Sequence, residues 1–284
     1  MPEGPEIRRM VDDIAATVAA RPAARVHFAF ARLKPMETTL AGRRVTSVEA
    51  RGKAVLVFFA ARDDDGPWCV YSHNQLYGQW RIGTADRAPE TRRQLRFAIV
   101  AGERAARLYS ASDIRVLRPD ALASVPYLAR LGPDPLNETV GDAALTAQLT
   151  EPRFAGRALG GLLLDQAFVA GIGNYLRSEI LFLAGVHPKR TPATLTSTER
   201  AHLVAAIRTL IERAYRLKGI TNDPERARRL ADAGHSLSAR RHMVFGRAGQ
   251  PCPVCKGVIE KQRVASRRLY LCPTCQPATP PAGT

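Results

Sequence analysis

Cys252-Pro253-Val254-Cys255 and Cys272-Pro273-Thr274-Cys275 are two CxxC pairs with sixteen residues between them. Each pair can wrap around a tetrahedral ion, and this spacing is typical of a four-cysteine zinc site on a β-hairpin. Four thiolates leave no open position for a catalytic water. We therefore predict one structural zinc ion that contributes to the folding of this segment. The fifth cysteine, Cys69, lies in an apolar run and is predicted to be a buried core thiol.

The charge is unevenly distributed along the 284 residues. The net charge of +16 divides into +4 for residues 1–150 (21 Lys and Arg against 17 Asp and Glu) and +12 for residues 151–284 (21 against 9). The second half is expected to bind a polyanion, with nucleic acid the first candidate, although an Arg- and Ala-rich composition can also reflect genome base bias. The longest apolar run, 54–61, is far below the roughly 20 residues that span a membrane. No apolar leader precedes Glu3, so we expect a cytoplasmic protein.

The N-terminal heptapeptide Met1-Pro2-Glu3-Gly4-Pro5-Glu6-Ile7 carries a second chemical signal. Initiator methionine is normally removed before a small residue, so we expect a mature chain that begins with the secondary amine of Pro2. A free α-amino group has a pKa of about 7.7–8.0, and a secondary amine that adds to an aldehyde-like carbon forms an iminium, which is an electron sink. Glu3 and Glu6 would supply carboxylates that move protons beside it. The alternative is an ordinary N terminus in which two prolines stiffen the start of a helix.

Hydrophobic periodicity divides the chain into a β-rich first part and a helical second part. Apolar residues at helical spacing predict an amphipathic helix of about four turns over residues 7–18, which Pro22 ends. Short β-branched or aromatic runs then favour a β-sandwich or barrel; they are Arg25–Phe30, Val45–Glu49, Ala54–Phe59, Trp68–Ser72, Gln94–Ala101, Arg107–Ser110 and Ile114–Leu117. Later helical patterns cover Ala143–Leu149, Ala158–Gln166, Tyr175–Ala184 and Ser197–Leu217. The Arg-rich segment 219–243 is expected to be a partly mobile loop.

Two segments of the β region have the composition of contact loops. The turn Arg51-Gly52-Lys53 precedes a predicted strand, and its lysine either has a function or is simply solvated. In the segment 72–78, Gln75 can hydrogen-bond a base edge, while Leu76 and Tyr77 can wedge into a base stack. The alternative for this segment is a hairpin corner with one buried leucine.

A third segment, Gly171-Ile172-Gly173-Asn174, joins two predicted helices. Glycines and an asparagine directly before a helix expose backbone N–H groups at its positive end, which suits a phosphate. Two helices joined by such a turn also have the layout of a helix-turn-helix DNA-binding unit. The alternative is that Asn174 only caps the helix.

Together these features resemble the Fpg/Nei family of DNA glycosylase/AP lyases over nearly the whole chain. The resemblance rests on Pro2-Glu3-Gly4-Pro5-Glu6, the lysine after Arg-Gly, the Gly-Ile-Gly-Asn turn and the terminal four-cysteine hairpin, which occur in the family's order. The segment Ser72-His73-Asn74-Gln75-Leu76-Tyr77-Gly78 is similar to the void-filling loop of the endonuclease VIII (Nei) branch, whereas the formamidopyrimidine branch has a methionine-containing loop there. Arg268, next to Arg267, replaces a residue that is often proline in the Nei branch.

The resemblance implies a role for each matching residue. Pro2 is implied as the nucleophile that attacks C1′, Glu3 as the proton donor and acceptor at the sugar, and Lys53 as an aid to β-elimination. Arg267 matches the residue assigned to δ-elimination, although a guanidinium with a pKa above about 12 is a poor acid and is better suited to clamp phosphate. The implied DNA contacts are Gln75, Leu76, Tyr77, Arg130 and Asn174.

The resulting fold prediction is an α+β protein. It has an N-terminal helix-bordered β-sandwich domain (1–131), a linker (132–142), a helical domain with a helix–two-turns–helix unit (143–243), a zinc finger (244–276) and a disordered tail (277–284). The predicted function is base-excision repair of oxidised pyrimidines in double-stranded DNA by a monomer, with β,δ-elimination. Two alternatives stay open: the same fold acting on oxidised purines, and a non-catalytic zinc-ribbon DNA-binding protein.

Overall fold

A computed structural model describes residues 2–278, which form two compact units. The first unit contains Pro2 and Ile7–Arg130, and the second contains Glu3–Glu6 and the chain from Leu131 onward. Residues 279–284 of the predicted disordered tail lie outside the described residues. No helix within residues 2–278 has both the length and the hydropathy that a membrane span requires.

Helix α1 runs over Gly4–Val18. In the first unit its buried side chains are Ile7, Val11, Ile14 and Val18, which is the predicted apolar stripe at helical spacing. The prediction that Pro22 ends this helix is wrong. The chain leaves the helix after Val18 and adopts a left-handed conformation at Ala20 (φ 59°), so the helix has already ended when the proline is reached.

Eight strands of the first unit form two four-stranded antiparallel sheets. Their orders are β1-β6-β7-β5 and β2-β3-β4-β8, and short helices α2 (Pro35–Leu40) and α3 (Pro126–Ala129) accompany them. The strands are β1 (Arg25–Phe28), β2 (Val45–Arg51), β3 (Ala54–Phe59), β4 (Trp68–His73), β5 (Gln79–Thr84), β6 (Leu95–Ala101), β7 (Arg104–Tyr109) and β8 (Asp113–Leu117).

The core of the first unit follows from the two-residue period of its strands. In β3, Val55 and Val57 join a cluster with residues of α1 and of both sheets, while Leu56 packs on the opposite face with Leu122. Both faces of β3 are thus covered, which explains its continuous apolar sequence. The strand β5 was missed by the sequence prediction because polar residues and Gly83 interrupt its short apolar pattern.

The second unit is helical and ends in a β-hairpin. Its helices are α4 (Asp142–Thr150), α5 (Leu159–Leu162), α6 (Asn174–Leu183), α7 (Ser197–Arg216), α8 (Pro224–Asp232) and α9 (Leu237–Arg241). The hairpin pairs β9 (Glu260–Val264) with β10 (Arg267–Leu271) in antiparallel register, as predicted. Its residues Leu269, Leu271 and Cys272 belong to the same buried cluster as side chains of α6 and α7, so the finger shares a core with the helices.

Two secondary-structure predictions in the second unit are wrong. The helix expected over Ala158–Gln166 is a single turn, Leu159–Leu162, after which the residues form turns and Oδ1 of Asp165 accepts the N–H of Ala167. The segment 219–243, expected to be a loop, contains α8 and α9. Asp223 and Ser236 accept N–H groups at the starts of these two helices. The helices lacked a recognisable apolar stripe, since only Ala227 of α8 is buried.

Candidate active site

The side chain of Glu3 is buried at the N terminus of helix α6, within the second unit. Its Oε1 accepts the N–H of Tyr175 at 2.8 Å, and its Oε2 accepts the N–H of Gly173 at 2.7 Å and of Leu176 at 3.3 Å. Three donors at the positive end of a helix match an ionised carboxylate. The N–H groups that the sequence suggested for a phosphate therefore hold Glu3 instead.

Two glycines make this close approach possible. A Cβ atom at Gly173 would lie 2.4 Å from Cδ of Glu3, and one at Gly4 would lie 3.0 Å from Cα of Gly171. The N–H of Gly4 also donates to the carbonyl of Gly171 at 2.8 Å. The Gly-Ile-Gly turn is thus shaped to receive the backbone and the side chain of residues 3 and 4.

Glu6 holds the backbone of Glu3 from the other side. Its Oε2 accepts the N–H of Glu3 at 2.9 Å, as in the second half of a capping box. Its Oε1 accepts the hydroxyl of Tyr175 at 2.8 Å and lies 3.7 Å from Nη2 of Arg241. Burial and the neighbouring carboxylates raise the pKa of Tyr175 well above its usual value, so this hydroxyl stays protonated and donates. Tyr175 and Arg241 are site residues that the sequence did not reveal.

Pro2 directly precedes Glu3 and is half-buried. Met1 lies outside the described residues. The chain therefore places the Pro2 nitrogen one residue away from a carboxylate whose position is fixed by three hydrogen bonds.

Lys53 lies in the first unit, at the turn that precedes strand β3. Lys53 is only 6% exposed, so the alternative that it is simply solvated is wrong. Its backbone N–H donates to the hydroxyl of Tyr127 at 2.7 Å, and Gly52 supplies the positive φ of 58° that the turn requires. Tyr127, from α3, was not identified from the sequence.

Gln75, Leu76 and Tyr77 lie together in the loop between strands β4 and β5. Leu76 is 65% exposed and Tyr77 is 70% exposed. The alternative of a hairpin corner with a buried leucine is therefore wrong. Arg130, at the end of the first unit, is exposed, and its Nε donates to the carbonyl of Pro126 at 2.9 Å.

Asn174 is the first residue of helix α6, and the N-cap position belongs to Gly173. The alternative that Asn174 caps the helix is therefore wrong. Its Oδ1 accepts from Nη2 of Arg177 at 3.0 Å. The same guanidinium donates to the carbonyls of Val264 (3.2 and 3.3 Å) and Arg268 (3.3 Å). Arg177 thus joins Asn174 to the hairpin tip.

Arg267 is the first residue of strand β10 and is exposed, as is Arg268. The tip between the two strands has positive φ at both Ala265 (51°) and Ser266 (61°), the geometry of a tight two-residue hairpin. Burial, and then the positive charge of Arg267, lower the pKa of the Arg177 guanidinium to about 10. It therefore remains charged at neutral pH and can stabilise the hairpin carbonyls.

The four cysteines of the finger lie close together. Their sulfur atoms are all within 4.8 Å of one another, with 3.8 Å between Sγ of Cys252 and Cys275 and 3.4 Å between Sγ of Cys255 and Cys272. Zinc–sulfur bonds of about 2.3 Å in a tetrahedron require sulfurs about 3.8 Å apart. The donor set and its spacing therefore fit one zinc ion with four thiolate ligands.

Comparison with known proteins decides the relationship. Residues 1–116 match the N-terminal domain of formamidopyrimidine-DNA glycosylase, 131–225 match its H2TH domain, and 249–278 match the zinc finger found in FPG and IleRS. Over 276 residues, covering 97% of this chain and 100% of each relative, the sequence is 42% identical to endonuclease 8 of Klebsiella pneumoniae and 40% identical to that of Escherichia coli K12.

The chain belongs to the Fpg/Nei family of DNA glycosylase/AP lyases.

Solved structures of Fpg/Nei proteins support the same fold. The chain superposes on Lactococcus lactis Fpg in a complex with abasic-site DNA with a TM-score of 0.77 and 21% identity, covering 97% of this chain and 99% of the other. For the same Fpg with N7-benzyl-Fapy-dG DNA the TM-score is 0.78 at 21% identity, with 97% and 100% covered. The predicted α+β architecture is therefore confirmed.

The Fpg/Nei assignment also accounts for the metal. A zinc-finger domain and a cluster of four cysteines together establish a structural zinc ion, as predicted. The match over residues 1–116 has no explanation in the alternative of a non-catalytic zinc ribbon, so the chain is an enzyme of base-excision repair.

The site residues of this Fpg/Nei chain that sequence analysis did not identify share one property. Each makes a contact with a residue that is distant from it in the sequence. Arg177 gave the clearest signal, because it is one of two charged residues, with Glu179, that lie between the apolar residues Leu176 and Ile180 of α6. A charge in an otherwise buried helix face requires hydrogen-bond partners. Nothing in the sequence indicates which carbonyls those are.

Proposed function

We propose that this enzyme removes oxidised pyrimidines from double-stranded DNA and cleaves the resulting abasic site by β,δ-elimination. Support for pyrimidines comes from the relatives named endonuclease 8, which match over their whole length. A structural neighbour, Lactococcus lactis Fpg, has been solved with DNA that contains an oxidised pyrimidine. The basic second half of the chain, with an excess of 12 positive charges, suits a DNA backbone.

The proposed nucleophile is the N-terminal secondary amine of Pro2, exposed by removal of Met1. The amine nitrogen bonds to C1′ of the damaged nucleotide and the bond from C1′ to the base breaks. The proton that the amine gives up and a second proton from the enzyme or solvent go to the departing base and to the ring oxygen. Ring opening gives an iminium between nitrogen and C1′, which acidifies the C2′ proton. Loss of that proton expels the 3′ phosphate.

The observation that carries this proposal is the fixed position of the Glu3 carboxylate. Glu3 follows Pro2 directly and is held by three N–H donors of α6. A carboxylate in this position can accept a proton from the sugar and return it. Glu6 and Tyr175 keep the backbone of Glu3 in place, which limits its movement during the reaction.

The other site residues have proposed roles that follow from the family resemblance. Lys53 assists β-elimination, and Arg267 grips a phosphate or promotes δ-elimination. Arg130 and Asn174 contact the DNA backbone. Gln75, Leu76 and Tyr77 fill the space that the flipped nucleotide leaves. The exposure of Leu76 and Tyr77 supports this last role, because two adjacent large side chains in contact with solvent are available to enter a base stack.

We propose that each domain has the role that the sequence suggested. Residues 1–131 carry the chemistry, 132–142 link the domains, 143–243 bind DNA and 244–276 form the zinc finger. We further propose that the enzyme acts as a monomer in the cytoplasm, where bacterial DNA is located.

Borohydride trapping on a duplex that contains an abasic site tests the proposal. Mass spectrometry first establishes that Met1 is absent from the preparation. We expect a covalent adduct with the wild-type chain and weaker trapping with Pro2→Gly, which keeps an amine but makes it primary. No adduct from a chain that has lost Met1 would overturn the mechanism, and wild-type trapping by Pro2→Gly would exclude a special role for the proline ring.

Cleavage of matched duplexes that contain thymine glycol or 8-oxoguanine tests the substrate class. We expect faster single-turnover cleavage of the thymine glycol duplex. The reverse order would assign the chain an oxidised-purine preference with the same mechanism.

A further inference from the structure

The loop between strands β4 and β5 presents two large apolar side chains on a tightly closed turn. Asn74, at its start, is 2% exposed, and its carbonyl accepts the N–H of Gly78 at 2.7 Å. A Cβ atom at Gly78 would lie 2.6 Å from both Cα and O of Asn74, so only glycine allows this closure. The turn therefore has a fixed base, and Leu76 and Tyr77 project from it.

The backbone of this turn is strained at Gln75. Its φ is +50°, and a left-handed conformation is sterically unfavourable for a non-glycine residue. Such a conformation persists only where the surroundings hold it, and strained residues cluster at functional sites. The contacts that hold Gln75 are therefore relevant to function.

Two side chains of the first unit hold Gln75. The Nδ1 atom of His73 accepts the backbone N–H of Gln75 at 3.0 Å, and the hydroxyl of Ser112 donates to Oε1 of Gln75 at 2.8 Å. One contact fixes the backbone and the other fixes the side chain. Arg93 adds a third contact, because its Nη1 donates to the carbonyl of Tyr77 at 2.5 Å.

Further contacts hold the ring of His73 and the backbone that precedes Ser112. The ring of His73 packs edge-on against the ring of Tyr127, with centroids 4.8 Å apart and planes at 67°. Ser112 follows another left-handed residue, Ser110 (φ 54°), whose N–H donates to the carbonyl of Gln94 at 2.9 Å. Burial lowers the pKa of His73 below its usual value, so the neutral ring keeps Nδ1 available as an acceptor.

We propose that His73 and Ser112 are positioning residues that hold Gln75 in its left-handed conformation, so that Leu76 and Tyr77 stand outward before DNA binds. The inference rests on the proposed role of this loop as a wedge in the base stack. A loop that already has this conformation before binding does not lose conformational entropy when it is inserted into the base stack. Neither residue needs to touch the reacting atoms.

Four single variants separate the holding contacts from other properties of these side chains. His73→Phe keeps a ring against Tyr127 and removes the acceptor, whereas His73→Asn loses the ring but keeps an oxygen that can accept the N–H two residues on, as in an Asx turn. Ser112→Ala removes the donor, and Ser112→Thr keeps it. Ser112 is exposed, so its variants should not threaten folding.

Two rates are measured for each variant: the fluorescence change of 2-aminopurine placed opposite the lesion, which reports insertion, and single-turnover base excision. One lost hydrogen bond corresponds to about threefold to tenfold in rate. We expect His73→Phe and Ser112→Ala to slow both rates by that factor, with melting temperatures within a few degrees of wild type. We expect His73→Asn and Ser112→Thr to stay within about twofold of wild type, since the contact is retained.

Leu76→Ala distinguishes failure of the inference from failure of the proposed wedge. If Leu76→Ala slows insertion but His73→Phe and Ser112→Ala do not, the wedge is real and the positioning role is wrong. If Leu76→Ala also leaves insertion unchanged, the wedge function itself fails and the inference fails with it. Equal losses for His73→Phe and His73→Asn would show that the Nδ1 acceptor is not what matters.

Discussion

Oε2 of Glu3 accepts a 2.7 Å hydrogen bond from the backbone N–H of Gly173, which lies 170 residues later in the chain. The absence of a side chain at Gly173 is what lets the carboxylate come so close, since a Cβ atom would be 2.4 Å from Cδ of Glu3. The glycine turn before α6 therefore serves to fix a carboxylate next to Pro2.

Gly173→Ala should disable base excision by displacing Glu3. Small misplacements of reacting groups can cost about 100-fold in rate, and we expect a loss of that order in single-turnover excision. Gly156→Ala is the matched control, because a Cβ atom there meets nothing within 4 Å. Excision by Gly173→Ala at the rate of the Gly156→Ala control would show that the position of Glu3 does not limit the reaction.

Arg177→Met should destabilise the hairpin tip. The substitution removes the donors that serve the carbonyls of Gly160, Val264 and Arg268, and each buried acceptor left unpaired costs about 1–3 kcal/mol. Urea unfolding should show a loss in this range or above it, while Arg228→Met, at an exposed position, should leave the unfolding free energy unchanged. Arg267 lies on the same hairpin. If Arg267 acts in δ-elimination, the β-elimination product should therefore accumulate with the Arg177→Met variant. Equal stability of the two variants would contradict this role for Arg177.

Removal of zinc should unfold the finger and lower the melting temperature of the second unit, because Cys252, Leu269 and Leu271 belong to its core. Metal analysis should give one zinc per wild-type chain and less than one for Cys272→Ser. Burial raises the pKa of Cys69 to about 12, so this residue stays a neutral thiol and Cys69→Ala should retain one zinc. Loss of metal from Cys69→Ala would contradict the four-cysteine site.

Stability should fall as the pH drops below about 6.5, partly through His242. Burial, and then the positive charge of Arg241, lower the pKa of His242 to about 3. Between pH 6.5 and 3 the unfolded chain therefore binds a proton that the folded chain does not, and the free energy of unfolding decreases with acidification. From pH 7.5 to 5.5 the loss from this group is about 1.4 kcal/mol.

The matched variant His242→Gln isolates this contribution, because other histidines titrate alike in both proteins. Chemical denaturation at several pH values should show a shallower decline for the variant. Parallel declines would mean that His242 does not carry the effect.

Patterns in the sequence correctly predicted the elements that depend on residues close to one another along the chain. The stripe Ile7–Val18 and the cysteine pairs depend on local period and spacing, and both were correct. Helix α8 was missed because a helix with one buried residue lacks the apolar stripe on which prediction depends. The helix predicted over Ala158–Gln166 ends after one turn at Leu162, and Asp165 then accepts the N–H of Ala167 in a turn that the apolar pattern did not show.

By itself the sequence determined the α+β class, the four-cysteine zinc site and the family, and it suggested Pro2 as the nucleophile, because each depends on residue type and spacing along the chain. Only the tertiary structure decided that the N terminus of α6 holds Glu3, that Arg177 joins Asn174 to the hairpin, and that Lys53 is buried. These contacts join residues that are dozens to nearly two hundred positions apart. Which donor meets which acceptor over such distances is set by the packing of the folded chain.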